Sequence, residues 1–123
     1  MLIKNIQIIF CLLVSINLAE KAYEPSGSFS ISRIHYSGGG DWYSDKSSIP
    51  NLLQFIADKT NIITKTEECV VKIGDDEFYS NSYFYITGHG NIKLNREEII
   101  ILREHLLNGA FLHADDNYGM DQS

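Results

Sequence analysis

Cysteine, proline and basic residues are all scarce in this chain. Its 123 residues include 2 Cys, 2 Pro and 10 Lys+Arg against 16 Asp+Glu. Two cysteines cannot build a disulfide framework, so the chain is not a stapled mini-protein. So little proline, with 9 Gly, excludes a collagen-like repeat. A 44% share of hydrophobic residues excludes a disordered tail. The net charge of −6 comes without any cluster of Lys or Arg. That argues against nucleic acid, because neutralising phosphates takes clustered cations. The length fits a single domain.

What is present begins with a leader. Lys4 precedes the apolar run Ile6 to Val14, and small or polar residues follow from Ser15 to Ala19. This predicts a secretory signal over residues 1–19, with an uncleaved N-terminal anchor as the alternative. The run is well short of the ~20 residues that span a bilayer. An exported, periplasmic protein is expected, touching the membrane only through this segment. Cys69 is then the one cysteine of the mature chain. Glu67 and Glu68 beside it would raise the thiol pKa, so an inert thiol is expected rather than a nucleophile.

Residues 20–28, with Pro25, form a short linker. Phe29 to Tyr36 alternates apolar and polar residues, the period of a half-buried strand, and stops at Gly38-Gly39-Gly40. A helix starts at Ser47-Ser48-Ile49-Pro50, and Ile49, Leu52, Leu53 and Ile56 carry it to about Lys59. Val70 to Ile73 is a short strand ended by the acidic turn Gly74 to Glu77, and Ser82 to Thr87 is a buried strand. Asn95 and Glu98 form a capping box. A helix follows with Ile99, Leu102 and Leu106 as its buried stripe, closed by Asn108-Gly109, and Ala110 to Ala114 is a last strand. The order predicts an α/β domain with a mostly parallel sheet between two helix layers. A complete doubly wound sheet would run on for further β-α units, so truncation at Ser123 is expected.

Three loops follow the strands: Gly38-Gly39-Gly40-Asp41-Trp42-Tyr43, Gly88-His89-Gly90-Asn91, and Asp115-Asp116-Asn117-Tyr118-Gly119. In a parallel sheet all strand C-termini open on one edge, where open α/β sheets bind ligands. This brings Asp41, His89, Asp115 and Asp116 together, with Asn117 beside them and His113 near the rim. Asp41, His89 and Asp115 are the candidate catalytic residues. The glycines allow backbone to approach a ligand closely, and Trp42 and Tyr43 offer a stacking platform. His89 with Asp115 or Asp116 is a mixed N/O set suited to a divalent metal, although no local spacing fixes two ligands on one element.

Each feature also has a plainer explanation. The triple glycine can be a sharp turn, Gly88-His89-Gly90 a strand-ending turn, Asp115-Asp116-Asn117 a helix cap, and His113 a satisfied sheet residue. His105 is expected to be structural, since a helix C-terminus favours a cation. The chain lacks a dinucleotide fingerprint, a P-loop lysine and a Gly-x-Ser-x-Gly elbow.

Taken together, Arg33 to Tyr43, Pro50-Asn51-Leu52-Leu53, Tyr85 to Gly90 and Gly109 to Gly119 resemble the bacterial family called domain of unknown function 4159. The resemblance runs from about Phe29 to the C-terminus. It implies a flavodoxin-like sheet of the class I glutamine amidotransferase-like superfamily, close to its trehalose-utilisation-type branch, and covers the N-terminal part of such a domain. Amidotransferases carry a Cys nucleophile at the tight turn after a strand of this kind. Here that stretch holds Asp115-Asp116-Asn117.

The expected function is therefore an exported amidotransferase-like domain without the Cys nucleophile. It would bind a small polar or carbohydrate-like ligand at the strand edge, and no cofactor is firmly implied. One alternative is a metal-dependent hydrolase using His89 with Asp115 or Asp116, and Asp41 as general base. Another is a non-catalytic interaction module of an envelope assembly.

Overall fold

The computed structural model describes residues 27–122. The expected leader and nearly all of the linker lie outside the described residues. Four strands, β1 (Ser32–Ile34), β2 (Cys69–Val71), β3 (Tyr83–Gly88) and β4 (Phe111–Asp116), form one sheet in the order β2-β1-β3-β4. Every pairing is parallel. With helices α1 (Ser48–Lys59), α2 (Asp76–Tyr79) and α3 (Arg96–Leu107), this is an α/β fold of flavodoxin-like order. The chain winds outward from β1 to β2 and then reverses to β3, which puts the topological switch point between β1 and β3.

Alternation along the strands separates two cores. Ile31 and Tyr85 pack with Ile49 and Leu53 of α1. On the opposite face Ile34, Phe84 and Ile86 pack with Phe78 of α2 and Leu102 of α3. α3 begins with the expected capping box: Glu98 N–H donates to Asn95 Oδ1 at 2.9 Å, and Asn95 N–H donates to Glu98 Oε2 at 2.7 Å.

Several local expectations are corrected. The alternation at Phe29 to Tyr36 does not mark a half-buried strand, because β1 is central and covered on both faces. Its polar residues are buried as well, Ser32 at 0% and Arg33 at 1% exposure. The acidic turn at residues 74–77 leads directly into α2, one helical turn that drives Phe78 fully into the core. In α3 the buried stripe is rotated. Ile99 is 52% exposed, while Leu102 is buried and Ile101 and Leu106 pack against it. The last strand extends through Asp115 and Asp116, because Thr87 and Gly88 of β3 continue the register beside them. Burial, then Glu77, raises the Cys69 thiol. The neighbouring Glu68 instead binds Arg33.

Candidate functional site

The loops after β1, β3 and β4 meet at the C-terminal edge of the sheet. Lys93 N–H donates to Ser37 O at 2.8 Å, and Asn117 N–H donates to Gly88 O at 3.1 Å. Asn117 Nδ2 donates to Asp45 Oδ2 at 2.6 Å. Asp45 itself has φ +53°, a left-handed conformation that Asp tolerates better than most residues.

At the centre of this junction Asp41 grips His89 at two points. The His89 backbone N–H donates to Asp41 Oδ1 at 2.8 Å, and His89 Nδ1 lies 2.7 Å from Asp41 Oδ2. Ser44 Oγ donates to the same Oδ2. The Ser44 bond first, and the two from His89 after it, hold the Asp41 carboxyl well below the usual carboxylate range. An ionised carboxylate only accepts, so Nδ1 carries the proton. The neutral imidazole then has its lone pair on Nε2, and the side chain is 60% exposed. A carboxylate on one ring nitrogen fixes both the tautomer and the aim of the other.

Two of the glycines serve this junction directly. A Cβ on Gly38 would fall on Asn91 O, and one on Gly40 would fall on Gly90 O. The close approach these glycines permit is thus between the two loops. Gly39, with φ +83°, has open space around it. Below the junction the buried Tyr36 Oη donates to Thr87 O at 3.0 Å, and burial with nearby Asp41 raises its pKa.

The remaining expected residues are placed less evenly. Asp115 accepts from Tyr85 Oη at 2.8 Å, and burial and this bond raise the Tyr85 phenol. Asp116 Oδ1 accepts from the backbone N–H groups of Tyr118 at 2.8 Å and Met120 at 3.0 Å. Among the described residues no group of three or more His, Cys, Asp or Glu could hold a metal ion.

His113 is not brought to the junction. It sits mid-strand, with Nδ1 3.3 Å from Tyr83 Oη at the other end of β3. Trp42 is half-buried and stacked on His35 with centroids 4.1 Å apart, which covers one of its faces. Tyr43, edge-on to Trp42, is 54% exposed. His105 is a core neighbour: its Nε2 lies 2.8 Å from Asn81 O and its ring lies against Phe78 and Phe84.

Sequence reasoning missed Ser44, Asp45, Tyr36 and Tyr85. Ser44 lies three residues after Asp41 in a glycine-led loop, the spacing of a turn that folds back on a carboxylate. That signal was available. Nothing local marks Asp45 as the partner of Asn117.

No curated protein matches the chain. The family model described as domain of unknown function, DUF4159, matches residues 30–123, which takes in all four strands and every loop of this junction, and the chain belongs to that family.

Proposed function

We propose that the strand C-terminal edge binds a small polar, carbohydrate-like ligand, with His89 Nε2 as its principal contact. The observation that carries this reading is the Asp41–His89 pair, which joins two loops through Nδ1 and the backbone N–H and holds an imidazole 60% exposed. A neutral imidazole held this way accepts a hydrogen bond from a ligand hydroxyl. Once protonated it donates one, backed by the Asp41 charge. Tyr43 offers an exposed aromatic face to the apolar side of a sugar ring. The parallel sheet and the position of the site support placement in the class I glutamine amidotransferase-like superfamily. The absence of a cysteine from these three loops supports a member that does not use that nucleophile. On this reading the protein is exported to the periplasm by residues 1–19.

The test is a ligand-observed NMR screen of sugars and polyols against wild-type protein and His89→Ala. Hits weakened about tenfold or more by the substitution are expected, the loss of one or two well-placed hydrogen bonds. Hits indifferent to His89→Ala, or no hits, defeat the proposal.

A second reading, an interaction module of an envelope assembly, draws on an apolar groove of about 400 Å³ lined by Leu94, Ile99, Leu102, Leu106 and Leu107. It runs along α3, and His89 is not among the residues that line it. Co-purification of an envelope protein that is lost on Leu107→Glu and kept in His89→Ala would select it.

A further inference from the structure

Arg33 is the largest fully buried side chain among the described residues, and the ligand contacts described above make no use of it. Its Nε donates to Glu68 Oε2 at 2.8 Å. Its Nη1 donates to Trp42 O at 3.2 Å and Ser44 O at 2.8 Å, and its Nη2 donates to Asp45 O at 3.3 Å. The guanidinium also lies over the Tyr85 ring, 5.2 Å from the centroid. A buried charge needs a full set of partners. Here most of that set comes from the carbonyls of a single loop.

We infer that Arg33 is the positioning residue of the His89 imidazole, acting through the loop Trp42 to Asp45. The route is short. The guanidinium fixes the Ser44 carbonyl, the Ser44 hydroxyl fixes the Asp41 carboxylate, and that carboxylate fixes His89 Nδ1. The same hub reaches both the end of β4 and the loop after it. Asp45, held through its carbonyl, receives Asn117, and Tyr85, under the guanidinium, binds Asp115. One planar fork with several fixed donors can hold three carbonyls and a carboxylate at once. A lysine ammonium in its place keeps the charge but cannot span them. This inference rests on the reading of His89 as the ligand contact, but its test needs no ligand.

The experiment records the imidazole ¹⁵N signals of His89 by NMR, under conditions where the ring is neutral. Wild-type protein is expected to show the single tautomer protonated on Nδ1. Arg33→Lys keeps a cation beside Glu68 and is expected to lose that signature, giving a mixture of tautomers while the core amide signals stay dispersed. Ser44→Ala cuts the same route next to Asp41, at a half-buried side chain. It is expected to give the mixture even if Arg33→Lys does not fold, and Ser44→Thr is expected to restore the wild-type signature. A purely structural Arg33 would lower stability and leave the tautomer alone. A single Nδ1-protonated signature in Ser44→Ala, or in a folded Arg33→Lys, overturns the inference. A failed ligand screen would leave this result standing, so the two proposals fail separately.

Discussion

Gly88 lies directly against the hydroxyl of Tyr36. A Cβ built on Gly88 would fall on Tyr36 Oη and come within 3.0 Å of Asp41 Oδ1. The last residue of β3 is thus a glycine because a buried phenol and the carboxylate that grips His89 both occupy the space beside it.

Gly88→Ala is accordingly expected to destabilise the protein by about 1–3 kcal/mol, the usual range for forcing a methyl into packed surroundings. It should also displace Asp41 from His89. Gly39→Ala is the control, since φ +83° is strained for alanine but nothing lies within 4 Å. It is expected to cost about 1–2 kcal/mol and to leave the Asp41–His89 contact unchanged. Urea denaturation measures the first effect, and the His89 amide shift reports the second.

Phe78 is fully buried, stacked on Phe84 with centroids 4.6 Å apart, and lies against His105. Phe78→Ala is expected to cost about 3–5 kcal/mol, because the transfer loss and the cavity add together. Denaturant midpoints of the two proteins check this. A cost under about 1 kcal/mol would mean that α2 is not a fixed part of the core.

The Asp41 carboxyl has a lower pKa in the folded protein than in the unfolded chain, so the unfolded chain takes up the proton first as pH falls. The contribution of Asp41 to stability is complete above the ordinary carboxylate pKa. It is lost progressively as pH falls from there through the lower folded value. At about pH 3, where an unperturbed Asp is mostly protonated, the Asp41 carboxyl ¹³C signal is expected to remain that of the ionised form. In Ser44→Ala, which removes the largest cause of the depression, the titration should move upward.

The elements that could be read from the sequence were those whose signals are local. The second long helix is framed by Asn95 and Glu98 at one end and Asn108-Gly109 at the other, and both ends form as their residue types predict. The convergence of three strand-end loops followed from parallel topology alone. The misplaced features depend on partners distant in the chain. Arg33 looks like the polar half of an alternating strand until β2, β3 and the loop Trp42 to Asp45 close around it. Asp115 looks like a loop residue until Thr87 extends the ladder beside it. Phe78 follows three acidic residues and has no periodic company, so only its contacts with Phe84 and His105 disclose a core residue. His113 and Asp115 share a face of β4 by strand period, and each meets a tyrosine of β3, Tyr83 and Tyr85, two residues apart.

The contact between Asp41 and His89 joins residues 48 positions apart, and β1 lies between β2, which precedes β3 in the chain, and β3 itself. Parallel pairings of this separation bear their loop-closure entropy before any contact repays it. Synthesis proceeds from the N-terminus, so the glycine loop emerges well before the imidazole that completes it. A nascent chain that has not yet reached His89 carries an Asp41 carboxylate without its imidazole partner. The junction therefore waits on the synthesis of both loops, and it ties together the ends of the two central strands.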